Sequence, residues 1–519
     1  MTDFDWLVIG SGFGGSVSAL RLAQKGHRVG VLECGRRFAD HELPKSTWDL
    51  RRYWWAPRLG LKGIFRMTIF RDVAIASGSG VGGGSLGYAN TLYRAPARFY
   101  EDPQWAELND WQVELAPHYA EAERMLGVTT YDEDDPADDY LREYAEATGV
   151  GETYAKTRVG VFLGAPGKTV PDPFFGGEGP DRTGCMRCGR CMVGCPHGAK
   201  NTLVKNYLWF AERAGARIMP ERTVTDIKPL PGGGYAVTSE RSGAWMRKQR
   251  RTQTAKGVVV AAGALGTNRL LAACKLHGSL PRISDRLGEL VRTNSEAILA
   301  VTLPKDTSED VIRRVAITGS IYPDPHTHIE TVVYGDAGDA MSGIFTLLTG
   351  DGTTLTRPLK LVGAAARHPV RLARSMNPRG WSRRTIIVLV MQSLDNAIAL
   401  RARKTRRGVR LTTEQDPERP NPTFIPVANA FTEWLAKRTG GIAQSSIMEA
   451  AANIPSTAHI LGGAVIGASP ASGVVDSDLR VFGYENLLVC DGAAIPANVG
   501  VNPSLTITAL AEHAMSRVA

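Results

Sequence analysis

A glycine-rich turn between two short apolar runs constrains this chain more than any other feature of its sequence. The apolar residues 6–9 lead into Gly10, Gly12 and Gly15, a helical pattern follows, and a second apolar run ends at Glu33. In such a β-α-β unit the first glycine permits a tight turn, the second lets backbone approach a pyrophosphate, and the third lets helix pack on strand. The closing acid is typical of a residue that binds ribose hydroxyls. The pattern predicts a nucleotide-binding domain without separating FAD from NAD, and a glycine turn without a ligand is the alternative.

A second glycine-rich block, residues 78–85 with Asn90 beyond it, favours FAD. The block includes Gly80 and Gly83 and offers a long stretch of backbone without side chains. The isoalloxazine ring of a flavin needs such bare backbone to lie against. The alternative is that the repeated glycines form a mobile loop.

Four closely spaced cysteines predict a metal centre. Cys185, Cys188, Cys191 and Cys195, followed by Pro196, have the Cys-x2-Cys-x2-Cys-x3-Cys-Pro spacing of a bacterial ferredoxin. A [4Fe–4S] cluster fits this spacing. Zinc also accepts four thiolates, although zinc sites more often pair two separated Cys-x2-Cys units. Cysteines without a metal are the third alternative, and the residues leave all three open.

The strand-glycine-helix pattern recurs around Gly263 and again near the C-terminus, where Asp491 and Gly492 follow an apolar run. Residues 286–455 show strand patterns instead. The alternation predicts an α/β fold, α+β overall, in which a Rossmann-like FAD-binding domain carries an inserted antiparallel-sheet substrate domain. The FAD-binding domain is expected to comprise residues 1–285 and 456–519, with the cysteine loop at 180–202, and the substrate domain residues 286–455.

Two polar residues of the C-terminal segment are candidates for an active-site pair. His459 and Asn502 both lie in apolar, glycine-rich surroundings, where a polar side chain without a partner is costly. A single histidine is more often structural than catalytic. Taken together, however, the two are harder to explain as purely structural residues.

Together these motifs resemble the glucose–methanol–choline (GMC) family of flavoprotein oxidoreductases, and within it the cholesterol oxidase-like branch. The resemblance spans nearly the whole chain and is more specific for the family than for a substrate. It is carried by residues 10–15 with Glu33, 80–90, 262–266, His459, Asp491 with Gly492, and 500–503. The cysteine block is not typical of cholesterol oxidases and resembles an insertion found in some dehydrogenase-type members of the family.

The resemblance implies FAD as the cofactor and assigns its contacts. Gly10, Gly12, Gly15 and Glu33 would hold the ADP half, Gly80, Gly83 and Asn90 would approach the flavin, Val224 would contact the adenine through its backbone, Asp491 would bind near the ribityl phosphate, and Gly263 and Gly492 complete the cofactor-binding set.

The resemblance also implies a reaction. His459 and Asn502 match the family's active-site pair, which removes a hydroxyl proton while hydride passes to the flavin. The expected substrate is a lipophilic secondary alcohol such as a 3-hydroxysteroid. Glu330 is the candidate for the glutamate that cholesterol oxidases place over the substrate, and an exposed acid at a strand end is its alternative.

Three hypotheses describe the path of the electrons. Electrons are expected to pass through the [4Fe–4S] cluster to a carrier or quinone. The first alternative is an oxidase that uses oxygen and releases hydrogen peroxide, with or without steroid isomerisation. The second, of another class, is a non-catalytic flavin and iron–sulfur relay.

The charge and the termini restrict partners and location. A formal charge of +9 favours anionic surfaces, but no nucleic-acid-reading motif accompanies it, so nucleic acid is not expected as a partner. Residues 359–381 mix apolar and basic residues at near-helical spacing, which fits either peripheral contact with anionic lipid or a solvated basic face. Neither a signal peptide nor a secreted disulfide pattern is recognisable. A cytoplasmic location is expected, with any membrane contact at the inner face.

Overall fold

The computed structural model describes residues 2–308, 310–406 and 408–519. The helices are α1 Phe13–Gln24, α2 Leu50–Tyr53, α3 Ala97–Tyr100, α4 Trp111–Leu126, α5 Pro136–Ala147, α6 Tyr207–Arg213, α7 Ala264–His277, α8 Thr356–Arg367, α9 Pro369–Ser375, α10 Pro426–Thr439, α11 Ile447–Ala452 and α12 Ser504–Ser516.

The strands are β1 Phe4–Ile9, β2 Val29–Leu32, β3 Trp55–Ala56, β4 Leu61–Lys62, β5 Phe65–Ile69, β6 Ala74–Gly78, β7 Thr129–Thr130, β8 Ala155–Lys156, β9 Arg158–Val159, β10 Thr169–Val170, β11 Arg182–Thr183, β12 Arg217–Met219, β13 Arg222–Pro229, β14 Tyr235–Arg241, β15 Arg251–Val260, β16 Ala297–Thr302, β17 Ile317–Asp324, β18 Thr327–Val332, β19 Phe345–Leu347, β20 Thr385–Gln392, β21 Ile398–Thr405, β22 Gly408–Gln415, β23 Ile442–Ser446, β24 Ser456–Thr457 and β25 Leu487–Val489.

The first sheet is the nucleotide-binding sheet. Its parallel part runs β12-β2-β1-β15, and β25 pairs in parallel with the end of β15. The antiparallel strands β14 and β13 extend it on one side. Strands β1, β2 and β25 are buried and rich in Val, Ile and Leu, because helices cover both faces of such a sheet. The predicted α/β fold is confirmed, and the parallel strands end together at the glycine turns.

The second sheet is antiparallel and runs β19-β23-β16-β20-β18-β17-β8. Six of these strands come from the stretch that was expected to form the substrate domain. β8 joins from outside that stretch, and α5 packs on β17, so residues before 286 also contribute to this unit. Helix α10 packs on β16 and encloses an apolar core between helix and sheet.

The chain crosses between the two sheets at residues 290–297 and again at residues 453–462. Arg292 and Leu461 pair through their backbones at this junction, and strand β24 continues the second crossing by pairing with β6. The junction therefore brings the ends of both sheets to one cavity. No helix of the described residues is long and apolar enough to span a bilayer.

Candidate active site

The first glycine motif forms one wall of a cavity of about 550 Å³. Gly10 turns the chain out of β1 with φ +101°, a conformation that favours glycine. A Cβ atom at Gly15 would lie 2.1 Å from the Gly10 carbonyl oxygen, so only glycine lets α1 pack this closely. A Cβ at Gly12, by contrast, would meet nothing within 4 Å. That open side faces the cavity, where the N-terminal N–H groups of α1 can meet phosphate oxygens.

Glu33 lies at the end of β2 and lines the same cavity. Its Oε2 accepts hydrogen bonds from the Ser11 backbone N–H (3.0 Å) and hydroxyl (2.8 Å), and its Oε1 accepts one from the Gly35 N–H (2.7 Å). These contacts hold the buried carboxylate in place at the cavity wall. It can therefore receive hydroxyl groups of a nucleotide without reorganising.

The second glycine block packs directly on the first. A Cβ at Gly83 would lie 2.6 Å from the Gly12 Cα, and both glycines line the cavity. Gly80 (φ +126°) lies behind this wall, where its carbonyl accepts a hydrogen bond from the Ser11 hydroxyl. Asn90 is fully buried, and neither its Oδ1 nor its Nδ2 has a partner among the described residues.

A third part of the cavity wall lies at the ends of strands β15 and β25. Gly263, Asp491 and Gly492 line the cavity. The Asp491 carboxylate accepts hydrogen bonds from the Gly263 N–H (2.8 Å) and the Thr267 hydroxyl (2.5 Å), while burial raises its pKa to about 6. Val224, expected near the adenine, does not line the cavity; Arg222, at the start of the same strand, does.

His459 and Asn502 lie next to each other and both line the cavity, as the family resemblance implied. His459 Nδ1 is in close contact with the Glu296 carboxylate, and its Nε2 lies 3.4 Å from Asn502 Nδ2. Because a carboxylate only accepts, Nδ1 carries the proton and Nε2 presents a lone pair towards the cavity. Asn502 Oδ1 is buried without a partner among the described residues, so it is available to a bound molecule.

Glu296 is a candidate functional residue that the sequence analysis did not identify. It is completely buried, and its second oxygen accepts a hydrogen bond from the Ala458 N–H (2.6 Å). Two residues earlier, Asn294 donates to the Val501 carbonyl (2.9 Å) and accepts from the Gly500 N–H (2.7 Å). The segment 294–296 thus holds the loops of both His459 and Asn502. The sequence signal for this segment is a run of five polar residues, 292–296, directly before strand β16.

Glu330 lies on β18 and is not an exposed strand-end acid, since it is fully buried. It faces Asn502 and Tyr93, yet its two oxygens form no hydrogen bond within the described residues. Burial, with a smaller contribution from the nearby Glu296, raises its pKa to about 8 against the opposing effect of Asn502 and Tyr93. A neutral carboxylic acid therefore stands beside the active-site amide at neutral pH.

The part of the cavity next to His459 is an apolar chamber. Aliphatic and aromatic side chains of the second sheet and its helices form it: Ile298, Ile317, Val332, Tyr334, Met341, Phe345, Ile387, Leu389, Ile447 and Met448. The chamber would exclude water from a substrate at His459. Its lining matches a molecule whose surface is largely hydrocarbon.

The four cysteines lie on a loop that reaches this cavity through Met192. Buried Lys200 ties the loop to the second glycine block, because its Nζ donates to the carbonyls of Leu86 (2.8 Å) and Cys191 (2.8 Å). In the part of the chain that the structure describes, no three of the cysteine sulfurs lie within 4.8 Å of one another. The arrangement therefore provides no ready site for a single metal ion, and nothing in it supports the predicted cluster.

Comparisons with known proteins agree with this geometry. Two family models described as GMC oxidoreductase match residues 179–288 and 383–511. A cholesterol oxidase of Mycobacterium tuberculosis (strain CDC 1551 / Oshkosh) is 52% identical over 99% of this chain and 91% of its own length. A cholesterol oxidase of Acinetobacter baumannii is 48% identical over 99% of this chain and 94% of its own length. The chain belongs to the GMC oxidoreductase family.

Solved structures share the fold of this GMC protein. Pyridoxine 4-oxidase from Mesorbium loti superposes with a TM-score of 0.63 at 15% identity, covering 99% of this chain and 98% of that one. A fungal aryl-alcohol oxidase superposes with a TM-score of 0.59 at 14% identity and the same coverage.

Membership in the family makes this chain an FAD-dependent oxidoreductase that acts on alcohols, and its cavity fits FAD. The glycines at 12, 83 and 263 leave bare backbone along the wall, and the Glu33 carboxylate lines the same cavity. Four residues predicted to bind the cofactor do not line the cavity: Gly15, Gly80, Asn90 and Val224. Gly15 and Gly80 pack behind its wall, and the buried amide of Asn90 has no partner among the described residues, while its neighbours Ala89 and Thr91 do line the cavity.

Proposed function

We propose that this chain oxidises a lipophilic secondary alcohol of the 3-hydroxysteroid class to the ketone, with oxygen as the electron acceptor and hydrogen peroxide as the second product. The observation that carries the proposal is an apolar chamber that ends at the His459–Asn502 pair. A rigid hydrocarbon body fits such a chamber, and His459 and Asn502 would meet the polar end of that molecule. The cholesterol oxidase relatives, at about half identity over nearly the full length, support the same substrate class.

Each active-site group has a defined task in this proposal. Bound FAD supplies the hydride acceptor for the alcohol carbon. His459 takes the hydroxyl proton on Nε2, since Nδ1–H is held by Glu296 and the neutral imidazole leaves one lone pair free. The Glu296 carboxylate then stabilises the imidazolium that forms. The Asn502 carboxamide positions the substrate oxygen.

The test uses the FAD-loaded protein and two alcohols under anaerobic conditions. A 3β-hydroxysteroid should bleach the flavin absorbance, and a short secondary alcohol such as 2-propanol should do so far more slowly. Readmitted oxygen should then restore the colour and release about one peroxide per ketone. Steroid-independent bleaching would contradict the substrate class, and ketone formation without peroxide would contradict the acceptor.

A second step, migration of a ring double bond, is favoured by Glu330. A buried carboxyl group beside Asn502 with no hydrogen bond of its own can move a proton between two carbons of an unsaturated ketone. We infer that Glu330, once ionised, removes the proton between the carbonyl and the double bond and returns it to the far end of the double bond. A Glu330→Gln protein should then release the unconjugated ketone, whereas wild type releases the conjugated isomer, which absorbs near-ultraviolet light more strongly.

The iron–sulfur relay predicted from Cys185, Cys188, Cys191 and Cys195 remains a prediction. The loop reaches the cavity through Met192, but no contact among the described residues supports a cluster. Iron and acid-labile sulfide in anaerobically purified protein would establish the cluster, and their absence would leave oxygen as the direct acceptor.

We also propose that α8 and α9 settle on a lipid surface. Leu355, Leu359, Val362 and Val370, in or next to these two helices, are all more than half exposed. The same helices carry Lys360, Arg367, Arg371 and Arg374, which would meet anionic headgroups. α8 packs on α11, whose Ile447 and Met448 line the chamber. A lipophilic alcohol could therefore pass from bilayer to chamber beside these helices.

A further inference from the structure

One carboxylate and two imidazoles meet between α4 and α12, outside the cavity. Glu114 and His118 stand one helical turn apart on α4, on the same face. His513, in the last turn of α12, reaches across to them. Their ligand atoms lie within 4.8 Å of one another, which no other group of three or more His, Cys, Asp or Glu side chains in the described residues achieves.

The hydrogen bonding of His513 defines which of its nitrogens faces this group. The side chain is 1% exposed, and Nε2 lies 3.0 Å from the Ser477 carbonyl oxygen. A carbonyl only accepts, so Nε2 carries a proton and, in the neutral imidazole, Nδ1 holds a lone pair. Nδ1 lies 3.0 Å from Glu114 Oε1 without hydrogen-bond geometry and has no other partner among the described residues. A buried lone pair against a carboxylate oxygen is unfavourable, and either a proton on Nδ1 or a metal cation between the two atoms would remove the repulsion.

We propose that Glu114, His118 and His513 bind a divalent transition-metal ion, with Zn²⁺ as the best match. Two imidazoles and one carboxylate are ligands that zinc accepts at about 2.0–2.2 Å, with water as a fourth. Histidine ligands characteristically donate their second N–H to a backbone carbonyl, as His513 does to Ser477. Glu114 and His118 are only partly buried, so an ion can enter from solvent.

Two neighbouring charges bear on this site. Arg517 Nη2 donates to Glu114 Oε1 (2.6 Å), the same oxygen that faces His513 Nδ1, so a bound ion would displace this guanidinium group. Half of the Arg517 side chain is exposed, so it can swing away at little cost. Glu512 does not compete for the ion, since Arg21 (2.7 Å) and the Tyr207 hydroxyl (2.7 Å) already engage its carboxylate.

The bound ion would clamp α12 to α4. The first turn of α12 lines the cavity directly after Asn502 through Ser504 and Ile507. The metal would therefore stabilise the helix that supports an active-site loop, without touching the substrate.

The experiment titrates Zn²⁺ into FAD-loaded protein that has been stripped with a chelator. Bound zinc is counted by elemental analysis after desalting, and thermal unfolding is followed with and without zinc. Wild type should retain one equivalent at this site and unfold at a higher temperature when it is filled, because a ligand that binds only the folded state stabilises it. His118→Gln, a change on a partly exposed helix face, should weaken the binding of that equivalent at least tenfold.

Three further variants make the result specific. Cys188→Ser should still bind the one equivalent of zinc that His118→Gln loses, which separates this site from the cysteine loop. His27→Gln should also still bind this zinc, because the His27 side chain lies elsewhere and, within the described residues, contacts the Ala519 carbonyl and the Trp6 ring. Arg517→Met should tighten zinc binding severalfold by removing the competing cation. Wild type without stoichiometric zinc, or zinc lost in Cys188→Ser and retained in His118→Gln, would overturn the proposal in favour of a plain ion pair.

Discussion

Glu296 and Glu330 are two fully buried carboxyl groups on either side of Asn502, and their surroundings give them opposite roles. Glu296 contacts His459 and the Ala458 N–H, so its charge is matched by donors. Glu330 has no hydrogen bond within the described residues, and burial favours its neutral form. The Glu296 carboxylate therefore orients His459, while Glu330 keeps its proton at neutral pH. Neither role can be read from residue type alone.

Replacing Glu296 with Gln should slow flavin reduction by the alcohol about 10- to 100-fold, because the amide keeps the hydrogen bond to His459 but no longer stabilises the imidazolium. Stopped-flow reduction of the FAD-loaded protein measures this rate. Glu123→Gln, which removes a carboxylate from an ion-pair network on α4, should reduce at the wild-type rate. Equal rates in Glu296→Gln and wild type would assign Glu296 a purely structural role.

Glu330 should also make the stability of the protein depend on pH. Its pKa is 4.5 when exposed on unfolding and about 8 when folded, so the folded state holds the extra proton between these values. Stability from this group is complete below pH 4.5 and is lost as pH rises towards 8. Glu330→Gln should remove this loss, which we expect to be on the order of 1–3 kcal/mol between pH 5 and pH 8. Urea unfolding at both pH values tests it, and an unchanged pH difference in the variant would speak against a buried neutral Glu330.

At the scale of elements, the crossing segment before β16 joins the two halves of the active site. Asn294 and Ser295 adopt left-handed backbone conformations (φ 60° and 45°), which direct the Asn294 side chain to residues 500–501 and the Glu296 side chain to His459. The Asn294 carboxamide oxygen accepts from the Gly500 N–H, and the Asn294 backbone N–H donates to the Asn498 side-chain oxygen (2.7 Å). The geometry of the His459–Asn502 pair thus depends on a turn that touches no substrate.

Asn294→Ala should lower kcat by about tenfold or more while the FAD remains bound, because the Asn502 loop loses two hydrogen bonds. Steady-state turnover and the flavin-to-protein absorbance ratio measure the two effects. The matched control is Asn429→Ala on α10, where the buried amide bonds only to its own helix. If both variants lose activity equally, general destabilisation and not loop positioning explains the result.

Arg357 is the fully buried side chain of helix α8 within the described residues, and it links the helix to the segments beneath it. Arg357 bonds to the Thr423 carbonyl (2.5 Å), to Asn453 Oδ1 (3.1 Å) and to Glu449, while most of the helix is exposed. Leu359→Asp with Val362→Asp should abolish co-sedimentation with vesicles rich in phosphatidylserine and leave turnover of detergent-solubilised steroid unchanged. Val113→Asp, at an equally exposed apolar position on α4, provides the control. Vesicle binding that survives the double change would place the membrane contact elsewhere.

At the scale of the whole molecule, one cavity is walled by both sheets. The nucleotide-binding sheet supplies the glycine walls, the antiparallel sheet supplies the apolar chamber, and the crossing segments supply the residues between them. A cofactor in this position contacts both units at once. It is therefore part of the packing as well as of the chemistry.

Removing FAD should consequently destabilise the whole protein. A ligand present at about 1,000 times its Kd contributes about 4 kcal/mol to the folded state. We expect the apoprotein to unfold at a temperature lower by several degrees, and FAD to restore it. ADP alone, which fills only the part of the cavity near Glu33, should restore less. Full restoration by ADP would mean that the flavin half contributes little to joining the two sheets.

The sequence by itself determined the nucleotide-binding half of this protein. The turn at Gly10, the close packing at Gly15 and the acid at the end of β2 are local requirements, so their spacing along the chain is sufficient to predict them. His459 and Asn502 were predictable as well, because polar residues in apolar, glycine-rich segments need a partner. The antiparallel sheet was also foreseeable from its strand patterns.

Only the tertiary structure decided what surrounds those residues. Glu296 is 163 positions from His459, and nothing in its neighbours along the chain announces the contact. The burial of Glu330 and the addition of β8 to the second sheet depend on strands from distant segments. The four cysteines illustrate the converse, since a strong local motif did not bring three sulfurs together within the described residues. The spacing of residues along the chain indicates what a short segment can bind. The protonation state, burial and hydrogen-bond partners of a side chain depend on distant segments that pack around it.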